Sequence, residues 1–361
     1  MCVASPDQIG GDVNAQDPRP HHDLNYACSI QTMVMSPDEY GSFVDSPFVS
    51  ERISELEIPL VVVAGRASRR LTHPGSLPVV VCGLGRSFGR DESQARSWCD
   101  LIVSTEDLEN VAAVIRSAPI ASTALTILLR SVGDVGVDAG LAAESSVYSM
   151  LQSGPEFASW RGDSDSEIKR DDQAVVVERV GDSLIISLDR PGRHNAVTAQ
   201  LRDELCAALV LASADDTVER IRFRGNGPSF CSGGDLAEFG SRSDGASAHV
   251  VRLTNSPARL LHRLRDRLTA EIHGSTLGGG IEMAAFADRV VAHPDTVIGL
   301  PETTLGLIPG AGGTVSITGR IGRQRCAALA LTGRTIDAAT ALRWGLVDEV
   351  AVPAELTEDR P

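Results

Sequence analysis

The sequence predicts an α/β protein with a smaller N-terminal unit followed by a larger core. Three observations support this prediction. Short valine-rich runs that end at glycine occur at 58–65 and 77–85, as in buried parallel strands. The order of strand, glycine turn and helix occurs twice, at 220–239 and 268–293. A polar run without apolar periodicity, 161–173, separates the two parts.

Length and composition exclude several classes of protein. The chain has 361 residues, of which 42% are hydrophobic and 22% charged, which suits two globular domains. Its net charge of −15 disfavours nucleic acid or an anionic membrane as a partner. No apolar run reaches the roughly 18–20 residues of a membrane span, and no export signal is recognisable. We therefore expect a cytoplasmic protein. Its seven cysteines include no CxxC pair, so we expect no metal site.

The N-terminal part is predicted to contain an arm, a small domain and a linker. Residues 1–50 mix Pro, Gly, Asp and Asn with scattered apolar residues, and we expect a poorly ordered arm. Residues 51–165 are predicted to be a small α/β unit of unknown role, and 166–173 a linker. Beyond its two valine-rich strands, this unit has one further strand and three helices, predicted at 99–104, 108–118, 121–132 and 141–160. The glycines of 83–90 do not match the GxGxxG pattern, so we predict a structural turn there.

Residues 174–361 are predicted to form the catalytic domain. A hairpin at 174–189 turns at Gly181, and an amphipathic helix covers 196–215. The elements predicted beyond it are a strand at 220–226, a glycine turn at 229–235 leading into a helix, a strand at 268–274, a glycine turn at 277–280, a helix at 281–293 and a strand at 296–300.

The two glycine turns and two nearby glutamates are the first indication of chemistry. Each turn lies between a strand and a helix start, where backbone N–H groups are unpaired and the helix dipole is positive. Two such N–H groups that converge would hold a developing oxyanion, although each turn alone is also typical of a plain tight connection. Glu282 and Glu302 have apolar or small neighbours, so we expect them in a cleft that raises their pKa values and separates them into acid and base. The alternative is a solvated glutamate at each helix start.

Five motifs occur together and in order: LDRPGRHNAV (188–197), SFCSGGDLAEF (229–239), IHGSTLGGGIEMAAFADRVVAH (272–293), IGLPETTLGLIPGAGGT (298–314) and LTGRTIDAATALRWGLVDEV (331–350). Together they resemble the enoyl-CoA hydratase/isomerase, or crotonase, superfamily over about residues 174–355. The resemblance implies a right-handed spiral of ββα turns that binds an acyl-CoA. It also implies an oxyanion hole made by the N–H groups of Gly234 and Gly279.

The resemblance implies that Glu282 and Glu302 act on water, as in hydratases that retain both acids. The expected activity is therefore that of an enoyl-CoA hydratase, which adds water across the 2,3 double bond of the thioester. Coenzyme A is then part of the substrate, and no separate cofactor is needed. Two alternatives stay open: an isomerase or a thioester or C–C hydrolase of the same fold, and a non-catalytic docking subunit of an acyl-CoA enzyme complex.

Four further residues are candidates for substrate binding by their positions in these motifs. Arg193 and His194 occupy the stretch that skirts coenzyme A in the family, and Ser232 and Asp235 belong to the first glycine turn. Asp235 is also a suitable cap for the helix that follows it. His273, before the second turn, is expected to be structural.

The chain departs from the family pattern after the GLVDEV segment. Family members continue with helices that cover the acyl pocket and help to form trimers, whereas this sequence stops at Pro361. We expect residues 140–160 to pack over the cleft and to replace that cover. The resemblance also implies a homo-oligomer, a trimer or hexamer, whose formation depends on the missing helices.

Overall fold

A computed structural model describes residues 32–65, 71, 73–85, 98–133, 135–162, 172–241 and 244–352. The N-terminal half builds a four-stranded, all-parallel sheet in the order β1-β2-β3-β4. Its elements are β1 (Met33–Met35), α1 (Pro37–Val44), α2 (Val49–Ser54), β2 (Leu60–Val63), β3 (Val80–Leu84), β4 (Leu101–Val103), α3 (Thr105–Ser117), α4 (Pro119–Val132), α5 (Val137–Gln152) and α6 (Pro155–Arg161). Every residue of β2 and β3 is buried, which explains their valine-rich sequences. The three predicted strands are confirmed.

The prediction of a poorly ordered arm over residues 1–50 is wrong for 32–50. Strand β1 pairs with β2, and α1 begins with a capping box in which Ser36 N–H donates to Glu39 Oε2 at 2.7 Å. Tyr40 and Phe43 of α1 are fully buried. Burial of these few large side chains outweighs the turn-forming composition around them. Residues 1–31 lie outside the described residues, as does most of the predicted linker.

The C-terminal half forms a six-stranded sheet in the order β13-β10-β8-β7-β6-β5 and a three-stranded sheet in the order β12-β11-β9. Its elements are β5 (Val175–Val180), β6 (Ser183–Leu188), α7 (Ala199–Ala214), β7 (Arg220–Gly225), α8 (Gly245–Thr254), α9 (Pro257–Arg263), β8 (Leu268–Ile272), β9 (Ser275–Leu277), α10 (Gly279–Ala284), β10 (Arg289–Ala292), β11 (Val297–Gly299), α11 (Gly313–Ile321), α12 (Arg323–Leu331), β12 (Ile336–Asp337), α13 (Ala338–Trp344) and β13 (Glu349–Val350). The predicted hairpin is confirmed by the antiparallel pairing of β5 with β6.

Successive turns of the chain repeat a strand in the large sheet, a strand in the small sheet and a helix. Strands β8 and β9 lead into α10, and β10 and β11 lead into α11. Parallel pairing of β10 with β8, and of β11 with β9, stacks one repeat on the next. This arrangement is the spiral of ββα turns that the family resemblance implies.

Three predicted helices differ from the structure. The one predicted over 141–160 is divided at Gly154 into α5 and α6. The helix predicted over 281–293 ends at Ala284, and β10 occupies 289–292. The guanidinium of Arg320 accounts for this early end, because it donates to the carbonyls of Ala285 at 2.9 Å, of Asp288 at 3.2 Å and of Ala287. The helix predicted after Asp235 is only one 3-10 turn, Leu236–Glu238. Gly240, two residues beyond it, has a φ of 73°, which is not helical.

One hydrophobic core runs through both halves of the chain. It contains Leu60 and Val80 of the N-terminal sheet together with Ile186 and Ile281 of the spiral. A second, smaller cluster on the opposite side of the N-terminal sheet contains Tyr40, Phe43 and Trp98. The predicted division into a unit at 51–165 and a domain at 174–361 stays a prediction.

Among the described residues, no single helix is both long and apolar enough to cross a membrane. The pair α3 and α4 reaches that length and composition only when taken together, and it is bent by 109°.

Candidate active site

The two glycine turns lie side by side because backbone hydrogen bonds join them. Cys231 N–H donates to Ser275 O at 3.2 Å, and Leu277 N–H donates to Cys231 O at 2.9 Å. Gly278 precedes α10 with a φ of 47°, a backbone conformation that glycine adopts readily. The sequence places a glycine turn after each of two strands, and the structure brings these turns together.

Gly234 and Gly279 both line one cavity, and each has an N–H group that its local structure does not use. Gly279 is the first residue of α10, so its N–H has no acceptor within the helix. Gly234 forms a parallel β-bridge with Val197. In this bridge Val197 N–H donates to Gly233 O and Asp235 N–H donates to Val197 O, so the N–H of Gly234 itself takes no part. Space beside Gly234 is restricted, since a Cβ there would lie 2.4 Å from Phe239 Cε1.

Glu282 and Glu302 line the same cavity and are almost completely buried, with 1% and 7% of their surface exposed. Glu282 Oε2 accepts hydrogen bonds from Ala311 N–H at 2.7 Å and Gly313 N–H at 2.8 Å. Glu302 Oε2 is buried and has no hydrogen-bond partner among the described residues. A Cβ at Gly278 would lie 2.1 Å from Glu302 Oε1, so only glycine leaves room for this carboxyl group.

The two carboxyl groups titrate as a pair. The pKa of Glu282 is raised to about 8, first by burial and then by the neighbouring Glu302 charge. Burial raises the pKa of Glu302 to about 7. The charge of one carboxyl group disfavours ionisation of the other, so the two protons are lost in separate steps. The pair is therefore able to both donate and accept a proton near neutral pH.

A third buried carboxylate, Glu144, comes from α5 in the N-terminal half. Its Oε1 accepts from Gly312 N–H at 2.7 Å, and its Oε2 accepts from the N–H and hydroxyl of Thr314 at 2.9 and 2.6 Å. Burial, followed by the charge of Glu282, raises the pKa of Glu144 to about 8. Along the loop 310–314, successive N–H groups thus alternate between Glu282 and Glu144.

The cavity has a volume of about 190 Å³ and is walled by both halves of the chain. Leu141, Glu144 and Tyr148 of α5 line it together with Gly234 and Gly279 of the two glycine turns. The expectation that residues 140–160 pack over the cleft agrees with this placement. Apolar side chains such as Val197 and Met283 supply further lining, which suits an acyl group.

The four other candidate residues do not line this cavity. Arg193 and His194 are exposed, and His194 Nδ1 lies 2.9 Å from Ser229 Oγ. Ser232 N–H donates to the His194 carbonyl at 2.9 Å. These three residues therefore lie outside the cavity, and their predicted contact with coenzyme A stays a prediction.

Asp235 has a structural role in the first glycine turn, and its predicted contact with the substrate stays a prediction. Its carboxylate lies 3.2 Å from Arg190 Nη1 and accepts from Ala237 N–H at 3.1 Å. Both contacts engage the group in holding the turn, so the capping role is confirmed. His273 is 1% exposed, and its Nε2 lies 2.9 Å from Gly227 O, in agreement with a structural histidine.

Sequence reasoning missed Glu144, Tyr148 and Arg252, which also line the cavity. A weak signal existed for Glu144: it lies among Gly140, Leu141 and Ser145, which share the buried side of α5. An acidic residue on the buried side of a helix needs a polar partner. That partner is 168 residues away in sequence, so local patterns do not reveal it.

Comparisons with known proteins agree with this arrangement. A family model described as enoyl-CoA hydratase/isomerase matches residues 181–360. A protein of Rhizobium meliloti (strain 1021) named "Probable enoyl-CoA hydratase" is 37% identical over 187 residues, which is 52% of this chain and 72% of that protein. The 2,3-dehydroadipyl-CoA hydratase of Escherichia coli (strain K12) is 34% identical over 183 residues, covering 51% and 71%.

Two further proteins are also similar to this chain. The trans-2-decenoyl-[acyl-carrier-protein] isomerase of Streptococcus mutans is 31% identical over 175 residues, covering 47% of this chain and 66% of that protein. The crystal structure of enoyl-CoA hydratase from Thermoplasma volcanium GSS1 matches with a TM-score of 0.47 at 34% identity, covering 51% of this chain and 74% of that chain. On the strength of the sequence identities and the share of each relative that is covered, this chain belongs to the enoyl-CoA hydratase/isomerase family, the crotonase superfamily.

Proposed function

We propose that this protein is an enoyl-CoA hydratase that adds water across the 2,3 double bond of a 2-enoyl-CoA. The observation that carries the proposal is the buried Glu302 Oε2, which lacks a hydrogen-bond partner among the described residues and belongs to a cavity-lining residue. A buried carboxylate oxygen without a partner is unfavourable in itself, and a bound water would satisfy it. Hydration requires a water held in this way beside the substrate.

The thioester carbonyl would accept hydrogen bonds from the N–H groups of Gly234 and Gly279. These donors stabilise the enolate that forms when water attacks C3, and loss of one such donor typically lowers the rate by about 10²–10³. Their direction is fixed by the backbone, so they need no reorganisation during the reaction. Substitution of a side chain would not remove them.

Protons balance within the glutamate pair. The ionised carboxylate takes a proton from water as its oxygen bonds to C3, and the protonated carboxyl group gives its proton to C2. We assign the delivery to C2 to Glu302; the pKa values of the two groups, about 8 and about 7, are close enough for either group to carry the proton. After the reaction the pair again holds one proton, and hydration involves no net oxidation or reduction. The reaction therefore needs no cofactor apart from the coenzyme A of the substrate.

A second candidate is isomerisation of the double bond. It is favoured by one observation: Glu282 Oε2 already accepts two backbone N–H groups, which leaves Glu302 as the less constrained acid. One carboxylate that moves a proton between C2 and C4 would be sufficient for that reaction. The similarity to the decenoyl isomerase of Streptococcus mutans is compatible with this candidate.

The test is to supply purified protein with crotonyl-CoA and to follow the loss of the conjugated thioester absorbance. We expect turnover in the wild type and a fall in kcat of at least about 10²-fold in both Glu302→Gln and Glu282→Gln, because each removes one proton-transfer group. A 3-enoyl-CoA assayed in parallel measures isomerisation. Isomerisation without hydration, with only Glu302→Gln inactive, would replace the first candidate by the second.

A further inference from the structure

Among the residues that the structure describes, three arginines line the cavity: Arg202, Arg252 and Arg259. Two of them have carboxylate partners that lie outside the lining, since Arg202 pairs with Asp203 and Arg259 pairs with Asp138, each at 2.7 Å. Within the part of the chain that the structure describes, Arg252 has no carboxylate partner. Its positive charge is therefore not neutralised by an ion pair.

The contacts that Arg252 does make are neutral. Its guanidinium lies over the ring of Tyr148 at 4.5 Å, and its Nη2 donates to Ser149 Oγ at 2.5 Å and to Gln152 Oε1 at 3.4 Å. Arg252 Nε is buried without a hydrogen-bond partner among the described residues. Burial lowers the pKa of Arg252, which means that the surroundings disfavour its charge. In a chain with a net charge of −15, a cavity arginine without an acid is best explained by an anionic ligand.

The position of Arg252 identifies which part of the substrate it would meet. Tyr148 and Glu144 are four residues apart on α5, so their side chains are neighbours on one side of the helix. Glu144 in turn binds the loop that holds Glu282. Arg252 thus contacts α5 about one helical turn from Glu144 and lines the same cavity as Glu282 and Glu302. The phosphates of coenzyme A, in contrast, are separated from the thioester by the long pantetheine arm.

We propose that Arg252 binds a carboxylate at the far end of the acyl chain, so that the preferred substrates are coenzyme A thioesters of 2-enedioic acids. A guanidinium binds a carboxylate through two parallel hydrogen bonds, which fixes the direction of the chain as well as its charge. The ring of Tyr148 holds the guanidinium from one side. This inference rests on the proposed function, whose substrate class it narrows.

The experiment compares two substrates of equal chain length, hex-2-enedioyl-CoA and hex-2-enoyl-CoA, which differ in the terminal carboxylate. We expect the wild type to prefer the enedioyl thioester. In Arg252→Gln, kcat/KM for that thioester should fall by about 10–100-fold, mainly through KM, while kcat/KM for hex-2-enoyl-CoA changes less than about threefold. Arg252→Lys keeps the charge, so its kcat/KM for the enedioyl thioester should lie between those of the wild type and Arg252→Gln. Turnover of the neutral thioester also shows that each variant is folded.

Two controls separate the proposal from its alternatives. Arg259→Gln removes a cavity-lining arginine that already has a carboxylate partner. It should therefore change kcat/KM by a similar factor for both substrates. The same two acids are also assayed as pantetheine thioesters, which lack the nucleotide phosphates. Loss of the Arg252→Gln effect with these thioesters would show that Arg252 binds coenzyme A phosphate and would overturn the proposal.

Failure of the proposed function is recognised separately by binding. Calorimetric titration with the unreactive adipyl-CoA and hexanoyl-CoA needs no turnover. Tighter binding of adipyl-CoA that disappears in Arg252→Gln would support the carboxylate site even if neither enoyl thioester is hydrated. Equal losses on both substrates in Arg252→Gln, or equal binding of both saturated thioesters by the wild type, would show that Arg252 only joins α8 to α5.

Discussion

At the scale of single residues, burial of Glu282 makes its protonation part of the stability of the protein. Its carboxyl group has an ordinary pKa of 4.5 and a pKa of about 8 in the folded chain. Between these values the folded protein holds a proton that the unfolded chain has lost. The free energy of unfolding contributed by this group is therefore greatest at low pH and decreases as the pH rises toward 8.

Glu282→Gln should reduce this pH dependence, because the amide has nearly the same shape but does not titrate. We expect the wild-type free energy of unfolding to fall between about pH 5.5 and about pH 8.5, and the fall to be smaller in the variant by on the order of 2 kcal/mol. Urea denaturation at both pH values measures the free energy of unfolding of each protein. Glu219→Gln, which changes an exposed acid, is the control. An equal fall in wild type and Glu282→Gln would show that Glu282 ionises normally.

The free N–H groups of the glycine turns and the burial of the glutamate pair could be predicted, because short local sequence patterns indicate both. Glycine followed by a helix start predicts a free N–H, and a glutamate among small and apolar neighbours predicts burial. Arg252 and Glu144 could not be predicted in this way. The partners of Glu144 are distant in sequence, and Arg252 stands out only because no described carboxylate pairs with it. A charged residue on an amphipathic helix is ordinarily solvated, so the sequence alone gives no reason to select either residue.

At the scale of elements, the loop 310–314 connects the two halves of the chain to the site. Glu282 binds two of its N–H groups and Glu144 binds two others, so α5 helps to set the position of Glu282. The close approach of α5 also explains the glycine at 310, where a Cβ would lie 2.3 Å from Tyr148 Cδ2. The loop is therefore held from both sides.

Glu144→Ala should lower both stability and activity, although we place Glu144 outside the proton transfers. Its removal leaves the N–H groups of Gly312 and Thr314 buried without acceptors, at a cost of about 1–3 kcal/mol for each unsatisfied group. We expect a lower Tm and a fall in kcat of roughly tenfold or more, since small displacements of proton-transfer groups slow catalysis strongly. Thermal denaturation and turnover of crotonyl-CoA measure the two effects.

A double-mutant cycle with Thr314→Val tests whether these effects run through the loop. If they do, the losses in Glu144→Ala and Thr314→Val should be clearly less than additive, because both remove the same 2.6 Å hydrogen bond. Ser146→Ala, an exposed change on the same helix, should leave the Tm and kcat unchanged. Additive losses would place the effect of Glu144 elsewhere.

Most elements could be predicted from hydrophobic period and glycine position, and the errors have identifiable causes. The run at 281–293 has the composition of a helix, yet Val290 and Val291 are needed to pair β10 with β8 and β13. Arg320, on a different helix, caps the chain just beyond Ala284. Tertiary pairing thus overrides local propensity at this point, and no single-segment pattern contains that information.

At the scale of the whole molecule, the two halves share one hydrophobic core and one cavity. The N-terminal half supplies Leu141, Glu144 and Tyr148 to the cavity wall, and its buried Asp100 lies 3.6 Å from Arg323 of α12. The homo-oligomer that the family resemblance implies stays a prediction. Within the residues that the structure describes, cover for the cavity comes from the same chain.

Deletion of residues 1–165 should therefore expose much of the core and open the cavity. We expect the remaining chain to aggregate or to bind a dye for exposed apolar surface, with no turnover of crotonyl-CoA. Co-expression of 1–165 and 172–361 as two separate chains is the matched control, because it keeps all the described contacts and breaks the chain only within 163–171. These two pieces should copurify and retain turnover, since the core and the loop 310–314 hold them together. A shortened chain that stays monodisperse and fully active would show that the spiral is complete without the N-terminal half, and that α5 only rests against it.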